Sequence, residues 1–359
     1  MKTTRRKFVS TLAMSPFLLG LNKFSFASQL SFNDDHLSAF SKKLKPVGRI
    51  LEMEDWYVWG TSPIKAPNGK THVFFSRWPA SKRMGGWINS CEIAHAVADN
   101  PEGPFEYVET VLKPRAGMWD ATTCHNPTIK FIDGKYCLFH MGNSNGKTNT
   151  KRVGLAIADS LEGPWKRSDK PLLEAGEGEV WDNHCTSNPS VIKHPNGQYW
   201  LYYKSWNTLD YENAKNPNIR GNRKYGLAIA DKLEGPYIKY EGNPIIDYSE
   251  LGDNTQLEDA YVWIEEGKFK MIARDMGIYN HEVGLYLESD DGINWSKPQI
   301  GYLPVRDYIK EPPGPSHLRK YGRFERPQLL LENDKPTYLF VASQGGKFMN
   351  TSAFVFKIG

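Results

Sequence analysis

The sequence has few cysteines and no cysteine motif. Four of its 359 residues are cysteine, and no two of them have the C-x-x-C spacing of a zinc or redox site. Cys124 and Cys137 lie within or beside apolar runs that are typical of strands. We therefore expect buried free thiols at these positions and at Cys91 and Cys185, although a pair that oxidises after export is left open.

Other motifs are also absent, and each absence narrows the function. There is no P-loop, dinucleotide fingerprint or nucleophile elbow, which argues against nucleotide-dependent enzymes and serine hydrolases. The 45 basic residues are interspersed with 41 acidic ones, so no basic block follows a phosphate backbone and nucleic acid is not an expected partner. No EF-hand-like loop is present and no cofactor is predicted, but a structural calcium held by Asp and Asn oxygens is left open.

Long apolar runs are absent too, apart from a short one near the N-terminus. Two arginines at positions 5 and 6 precede this run, and small residues follow it, which is the layout of a twin-arginine export signal. The run is too short for a membrane span. We expect residues 1–28 to be a signal cleaved near Ala27, residues 29–45 to be a linker, and the protein to be periplasmic or secreted. An ordinary secretory signal is the alternative, and the oligomeric state is not predicted.

What the sequence does contain is a repeat. Five segments each combine a polar leader, an apolar strand, a polar turn and a second apolar strand, and their leaders are 71, 62, 71 and 67 residues apart. The segments are EDWYVWGTSPIKAPNGKTHVFFSRW, HNPTIKFIDGKYCLFHMG, SNPSVIKHPNGQYWLYYKSW, EDAYVWIEEGKFKMIARDM and ERPQLLLENDKPTYLFVAS. A second motif, such as VGLAIADSLEGPW, follows most copies and adds two strands.

Four antiparallel strands in each of five repeats predict an all-β fold, a five-bladed β-propeller that forms one domain over residues 46–359. The last strand, around TSAFVFKIG, is expected to pair with residues 45–53 and close the ring, which leaves few exposed strand edges. A two-sheet sandwich is the alternative, but it does not explain five matched leaders.

The leaders predict a site, because the first strand of every propeller blade lines the central channel. They form two columns: Glu54, His125, Ser187, Glu258 and Glu325, then Asp55, Asn126, Asn188, Asp259 and Arg326. Crowded carboxylates push their pKa values apart, which suits general acid and base catalysis. In a regular strand only one of two neighbours faces the channel, and a β-bulge would change which one does.

These repeats, the SLEGPW-type turns and the blade-leading acids resemble the five-bladed glycoside hydrolases of families 43 and 117, and more distantly family 32. The similarity covers nearly all of the chain after the signal, whereas the family 43 catalytic motifs match only in part. By column, the resemblance implies Asp55 as the base and Glu258 as the acid, and it implies inversion of configuration. The position that tunes the acid falls on Asn188, which is not an acid.

That departure leaves the catalytic set open. Asp182 in VWDNHC is the candidate to replace the missing tuning acid. Glu325 and His125 are alternative acids, and the resemblance to family 117 keeps His184 among them. An ion pair with a nearby arginine is the structural alternative for Glu258 and for Glu325.

Aromatic and polar residues near the leaders suit a sugar. Two loops, WDATTCHNP and WDNHCTSNP, are expected to build one wall of the pocket, with inter-blade packing as the alternative for their tryptophans. The predicted substrate-binding residues are Glu54, Trp56, Trp119, Asp120, His125, Asn126, His184, Asn188, Lys204, Asp259 and Arg326. Cations at Arg77, Lys204, Arg274 and Arg326 suggest a uronic or sulfated sugar, unless they pair with the pocket acids.

Together these features predict an exported glycoside hydrolase that releases sugars from polysaccharide-derived oligosaccharides and acts at chain ends. A propeller phosphorylase and a non-catalytic carbohydrate-binding propeller are the alternatives. Dependence on inorganic phosphate separates the phosphorylase from the hydrolase, and loss of turnover with retained binding in a catalytic variant separates the hydrolase from the binding protein.

Overall fold

A computed structural model describes residues 34–213, 222–252 and 255–359. The predicted export signal, residues 1–28, lies outside these ranges. Within them, no helix combines the length and the apolar character that crossing a bilayer requires.

The described residues form five four-stranded antiparallel sheets, each a blade of a propeller. Strand β1 (Leu44–Leu51) belongs to the last blade. Blade 1 contains β2 (Trp56–Lys65), β3 (Thr71–Pro79), β4 (Glu92–Ala98) and β5 (Glu106–Leu112). Blade 2 contains β6 (Thr123–Ile132), β7 (Lys135–Asn143), β8 (Arg152–Ala158) and β9 (Lys166–Arg167). Blade 3 contains β10 (Ser187–Lys193), β11 (Tyr199–Ser205), β12 (Lys224–Ala230) and β13 (Ile238–Lys239).

Blade 4 contains β14 (Gln256–Glu265), β15 (Lys268–Met276), β16 (Gly284–Ser289) and β17 (Gln299–Tyr302). Blade 5 contains β18 (Phe324–Glu332), β19 (Lys335–Gly345), β20 (Asn350–Ile358) and β1. One short helix, α1 (Thr208–Glu212), follows β11. Single 3₁₀ turns lie at Asp34–His36, Ser41–Lys43, Thr148–Thr150, Ser249–Leu251 and Val305–Asp307, and a longer one at Ala80–Ile88. The predicted five-bladed all-β propeller is confirmed.

The ring closes where it was predicted to close. Strand β1 pairs antiparallel with β20, with Lys45 opposite Lys357 and Arg49 opposite Phe354. The residues just before β1, which were expected to be part of a linker, pack on blade 4. The ring of Phe40 stacks on that of Tyr286 with centroids 5.5 Å apart, and Ser38 Oγ donates to the Ile300 carbonyl at 2.8 Å.

Tight turns connect the first two strands of blades 2, 4 and 5. Their central residues are Asp133–Gly134, Glu266–Gly267 and Asn333–Asp334, and all six have positive φ. Two consecutive positive φ angles define the turn whose twist matches that of an antiparallel hairpin. In blades 2 to 5 the outermost strand is the shortest of its blade, and β9 and β13 have two residues each.

The hydrophobic core is divided among the blade interfaces. Five apolar clusters each combine residues of two neighbouring blades, such as Phe74 with Leu138, Phe75 with Phe340, and Trp263 with Phe354. Burial of this apolar surface holds each blade against the next. The inner strands, β2, β6, β10, β14 and β18, are therefore brought together around one axis.

Candidate active site

Every inner strand carries a β-bulge at the same level of the axis. The pairing register shifts immediately after Trp59, His125, Ser187, Glu258 and Glu325. The residues that follow have φ between 50° and 60°: Gly60, Asn126, Asn188, Asp259 and Arg326. A bulge places two consecutive residues against one partner residue and breaks the alternation of faces. Both Glu258 and Asp259 therefore reach the axis.

This bulge overturns the predicted alignment of blade 1. The structural equivalent of Glu258 is Trp59, and that of Asp259 is Gly60. Glu54 and Asp55 lie in the turn before β2 and are exposed. The similar segments EDWYVW (54–59) and EDAYVW (258–263) align through the apolar residues of β2 and β14, but the bulge follows the last residue of the first segment and the first residue of the second. Asp55 is thus outside the axial site, and its predicted place as the base was wrong.

Trp56 was misplaced for the same reason. Its ring lies under Arg77, whose Cζ is 4.2 Å from the ring centre, and Arg77 binds Glu92 at the edge of blade 1. A second signal in the sequence identifies the equivalent bulge residues of blades 1 to 3. A hydroxyl residue, Ser62, Thr128 or Ser190, lies two positions after the bulge residue with positive φ.

A cavity of about 770 Å³ opens at the end of the axis where the bulges lie. Of the predicted residues, those that line it are His125, Asn126, Asn188, Lys204, Glu258, Asp259, Glu325 and Arg326. The aromatic residues of its wall are Trp59, Trp78, Trp87, Trp206 and Tyr211, none of which was predicted. Its basic residues are Lys151, Lys204, Arg223, Arg274, Arg319, Lys320, Arg323 and Arg326.

The bulge residues themselves form the floor of the cavity. We call Gly60, Asn126, Asn188, Asp259 and Arg326 the axial ring. The Asn126 amide donates to the Asn188 side-chain oxygen at 2.9 Å, and the Asn188 amide donates to Asp259. The backbone N–H of Arg326 donates to Asp259 at 3.3 Å, and its guanidinium donates to the Asn126 carbonyl at 3.3 Å. These bonds close the channel, and a separate cavity of about 650 Å³ lies at its other end.

Gly60 completes the axial ring as the member without a side chain, whereas the other four members hold side chains at a similar φ. A Cβ atom at this position would lie 3.4 Å from Arg326 Nε and 3.5 Å from Asn126 Oδ1, and the backbone φ is +60°. Blade 1 therefore supplies no carboxylate at the column where the family 43 resemblance implies the base.

Glu258 is surrounded by cations. Lys204 Nζ binds one of its oxygens, Arg274 Nη1 lies 3.0 Å from the other, and Arg223 Nε is 3.6 Å away. Burial alone would raise the pKa of Glu258, but the three cations hold it well below its usual value. The Glu258 carboxyl is therefore ionised near neutral pH, which suits a base better than the predicted acid.

Glu325 is a second ionised carboxylate on the same side of the cavity. Arg323 binds it, and Arg274 Nη1 lies 3.3 Å from its Oε2. Burial raises its pKa less than Arg274, Arg323 and Lys320 lower it, so the pKa of Glu325 is held below its usual value. One nitrogen of Arg274 thus bridges Glu258 and Glu325.

Asp259 differs from both glutamates. Burial, and then the negative charge of Glu258, raise the pKa of Asp259 above its usual value, although Arg326 acts in the other direction. Neighbouring carboxyl groups whose pKa values are pushed apart are the arrangement that acid and base roles require. Asp259 is the described cavity carboxyl that most readily holds a proton.

The two candidate histidines take different positions. His125 lies in the wall between the rings of Trp78 and Trp87, and its Nδ1 is 3.2 Å from Cys91 Sγ. Burial and the nearby cations hold the pKa of His125 well below its usual value, so its imidazole is neutral. His184 lies behind the wall, where its ring stacks on Trp206 with centroids 5.1 Å apart.

The aspartates of the two matched loops do not reach the cavity. Asp120 accepts from Arg115 at 3.1 Å and from Arg167 at 2.9 Å. Asp182 accepts from Lys239 at 2.6 Å and from the Tyr203 hydroxyl at 2.8 Å. Each aspartate therefore binds a basic residue of the outermost strand of its own blade, and Asp182 does not replace the missing tuning acid.

The tryptophans of these loops also support the blades. Trp119 and Trp181 cover glycines on the third strand of blades 2 and 3, since a Cβ at Gly154 would lie 2.3 Å from Trp119 and one at Gly226 would lie 2.8 Å from Trp181. The two loops are equivalent, as their sequences indicated, but their predicted place in the pocket wall was wrong.

Replacing Gly154 by Ala is expected to destabilise the protein by about 1–3 kcal/mol, because the added methyl group overlaps the Trp119 ring. Urea denaturation measures the effect. Gly85→Ala is the matched control, since a Cβ there meets nothing within 4 Å. Equal stability of the two variants would mean that Trp119 moves aside at no cost.

Calcium is the metal that the sequence left open. Calcium prefers several carboxylate and carbonyl oxygens. Glu258 and Glu325 are already neutralised by Lys and Arg, and among the described residues no group of three or more His, Cys, Asp or Glu side chains is placed to hold a metal. The two glutamates therefore do not fit a calcium site, and a structural calcium held by Asp and Asn oxygens stays a prediction. All four cysteines are buried and free, as expected.

Comparison with known proteins gives matches of low sequence identity and high structural coverage. No protein-family model matches the chain. The chain is 26% identical over 220 residues to extracellular endo-α-(1→5)-L-arabinanase 2 of Bacillus subtilis (strain 168), which covers 57% of this chain and 45% of that protein. An extracellular endo-α-(1→5)-L-arabinanase of Thermotoga petrophila is 26% identical over 140 residues, or 33% of this chain and 29% of that protein. The matches thus span less than half the length of these relatives.

Solved structures match over most of the chain. Zg3597, a family 117 glycoside hydrolase of the marine bacterium Zobellia galactanivorans, superposes with a TM-score of 0.63 at 18% identity, covering 88% of this chain and 89% of that one. The resemblance to families 43 and 117 is confirmed. The family 43 β-xylosidase/α-arabinofuranosidase CoXyl43, from a compost metagenome, superposes with a TM-score of 0.58 at 15% identity, covering 88% and 93%. The likeness to these structures is one of fold.

Proposed function

We propose that the protein is a glycoside hydrolase that releases sugars from the ends of oligosaccharides in its axial cavity. The observation that carries the proposal is the adjacent pair of a partly buried Glu258 and a buried Asp259, whose pKa values are shifted in opposite directions at the floor of an aromatic-walled cavity. The glycosidase names of the sequence relatives and structural neighbours support it.

In the proposed mechanism Glu258 is the base and Asp259 is the acid. The ionised Glu258 accepts a proton from the attacking water, and Asp259 donates a proton to the leaving oxygen. Lys204 and Arg274 keep Glu258 ionised and in place. Glu325 holds Arg274 from the other side, so it positions Glu258 through that arginine.

The floor of the cavity supports action at chain ends, whereas both sequence relatives are named as endo-acting enzymes, and their names support a location outside the cytoplasm. The axial ring closes the cavity, so a polymer cannot thread through it. The sequence relatives are named as extracellular arabinanases, and this supports the predicted export by residues 1–28 to the periplasm or beyond. Their names, together with that of CoXyl43, make arabinose- and xylose-containing oligosaccharides the first substrates to test.

The function is tested by incubating the purified protein with a panel of oligosaccharides, with and without inorganic phosphate, and analysing the sugars released. Release of a monosaccharide without phosphate supports the hydrolase. Release that requires phosphate would identify the phosphorylase instead, and binding without release would identify a carbohydrate-binding propeller.

In Asp259→Asn the loss of activity is expected to depend on the leaving group and to be larger for a poorer leaving group. Natural oligosaccharides need protonation of the leaving oxygen, so kcat should fall by about 10²-fold or more. Aryl glycosides with acidic phenols leave without a proton and should be cleaved at nearly the wild-type rate. An equal loss on both substrate types would assign Asp259 to the structure of the axial ring instead of to catalysis.

A further inference from the structure

We infer that the sugar bound in the axial cavity carries a negative charge, a carboxylate or a sulfate ester, and that Lys151 and Arg223 bind it. This inference rests on the proposed function, since it names the class of sugar that the same cavity accepts. The two anionic groups share one chemistry, which is that of oxygen atoms that accept charge-assisted hydrogen bonds.

The first argument is the balance of charge. The described residues that line the cavity include eight Lys and Arg side chains but only three carboxyl groups, Glu258, Asp259 and Glu325. Arg319 and Lys320 are exposed, but the other six cations still outnumber the three carboxyl groups when all three are ionised. Unpaired buried charge is costly, and a neutral sugar would not offset it.

The second argument is which cations lack partners. Lys204, Arg274 and Arg323 bind the glutamates, and Arg326 lies 3.6 Å from Asp259. Lys151 is only 3% exposed, yet within the described residues it forms no ion pair and its ammonium has no hydrogen-bond acceptor. It lines the cavity, so a bound ligand can supply the missing acceptor.

Arg274 Nε and the Nε and Nη1 atoms of Arg326 have no hydrogen-bond partner among the described residues, and the same is true of two nitrogens of Arg223. These two are the buried Nε and Nη1 atoms of Arg223, whose nearest carboxylate oxygen, on Glu258, is 3.6 Å away. A guanidinium with two free N–H groups fits a carboxylate or a sulfate.

The third argument is that the two cations occupy equivalent positions. Lys151 directly precedes β8 in KRVGLAIA, and Arg223 directly precedes β12 in RKYGLAIA, so neighbouring blades aim a cation at the same side of the axis. Both lie near the Trp206 ring, with Lys151 Nζ 4.4 Å and Arg223 Cζ 5.6 Å from its centre. Cation–π attraction lowers the cost of this arrangement but leaves the N–H donors free.

The test uses matched substrates that differ only in charge. Oligosaccharides from uronic-acid and from sulfated polysaccharides are compared with their carboxyl-reduced and desulfated forms. The expected result is a kcat/KM about 10²-fold higher for one charged form than for its neutral counterpart. The series that shows the preference distinguishes the carboxylate from the sulfate.

Two variants connect this preference with Lys151. Lys151→Met should lower the ratio of charged to neutral kcat/KM by about 10-fold, whereas Lys151→Arg should keep it. Burial lowers the pKa of Lys151 to about 8, with Lys204 and Arg223 acting in the same direction and Cys185 and Glu258 opposing them. The wild-type preference should therefore weaken above pH 8, and that of Lys151→Arg should weaken less. Thermal melting of both variants checks that they fold.

The outcomes separate the inference from the proposed function. If neutral sugars are cleaved as well as charged ones and Lys151→Met changes nothing, the inference is overturned and the hydrolase stands. If nothing is cleaved but charged sugars bind with an affinity that depends on Lys151, the inference stands and the hydrolase falls. If inorganic phosphate is consumed, Lys151 and Arg223 bind a co-substrate and the inference is overturned.

Discussion

Glu258→Gln is expected to lower kcat for sugar release by about 10³-fold, with both natural oligosaccharides and activated aryl glycosides. Glutamine keeps the size of the side chain and its contact with Arg274, but its amide cannot accept the proton of the attacking water. Since water attack is needed for every leaving group, the loss should not depend on the leaving group. Steady-state kinetics with both substrate classes measures it.

The control for this variant is Asp55→Asn. Asp55 is an exposed carboxylate in the turn before β2, outside the cavity, and its removal should leave kcat and KM unchanged. A Glu258→Gln protein that binds sugar and turns over at the wild-type rate would exclude Glu258 as the base. A loss confined to poor leaving groups would instead assign Glu258 the role of acid.

Arg274→Met is expected to destabilise the protein at neutral pH by about 3–5 kcal/mol, the range found when one partner of a buried ion pair is removed. Arg274 Nη1 lies 3.0 Å from Glu258 and 3.3 Å from Glu325. Without this arginine, the two largely buried carboxylates still repel each other, but fewer cations offset the repulsion. Denaturant unfolding at several pH values measures the effect.

The dependence of this effect on pH has a definite sign. In the wild type the pKa values of Glu258 and Glu325 are lowered on folding, so their ionised forms add stability above an unfolded pKa of about 4.3, and that stability is lost as the pH falls. The variant raises both folded pKa values. Its deficit relative to the wild type should therefore be largest near pH 7 and shrink below about pH 4.3.

Arg274→Lys is the matched control, since it keeps a positive charge between the glutamates. It should recover part of the lost stability at pH 7. A destabilisation of Arg274→Met that stays constant from pH 7 down to about pH 2 would mean that the arginine contributes through packing and not through its charge.

The fold could be predicted from the sequence because the strand pattern of one blade is repeated five times. Each repeat supplies two strands with a polar turn, and the glycine- and asparagine-containing turns mark where the chain reverses. Closure of the ring by β1 and β20 followed from the strand left unpaired at the C-terminus. The site residues on blades 2 to 5 followed from the same repeats, because their leaders and bulges keep a constant spacing.

The errors have one physical cause. Sequence similarity in a strand reflects its apolar face, whereas the residues at the axis are set by the bulge, which interrupts that periodicity. In blade 1 the bulge is marked by Gly60, so the column of polar leaders was continued onto Glu54 and Asp55 instead of onto Trp59. Lys151 and Arg223 were missed because they precede the third strand of their blades, far from the leaders.

Under the proposed function, the axial ring also affects how a released sugar leaves the cavity. A cavity with a closed floor has one opening, so a sugar released at the bottom must leave by the route along which the next chain arrives. Free product and incoming substrate would then compete for the same passage, and if the sugar is anionic, as we infer, the cations that bind it would also slow its release. In a cavity with one opening, release of the product can limit turnover as much as cleavage of the bond does.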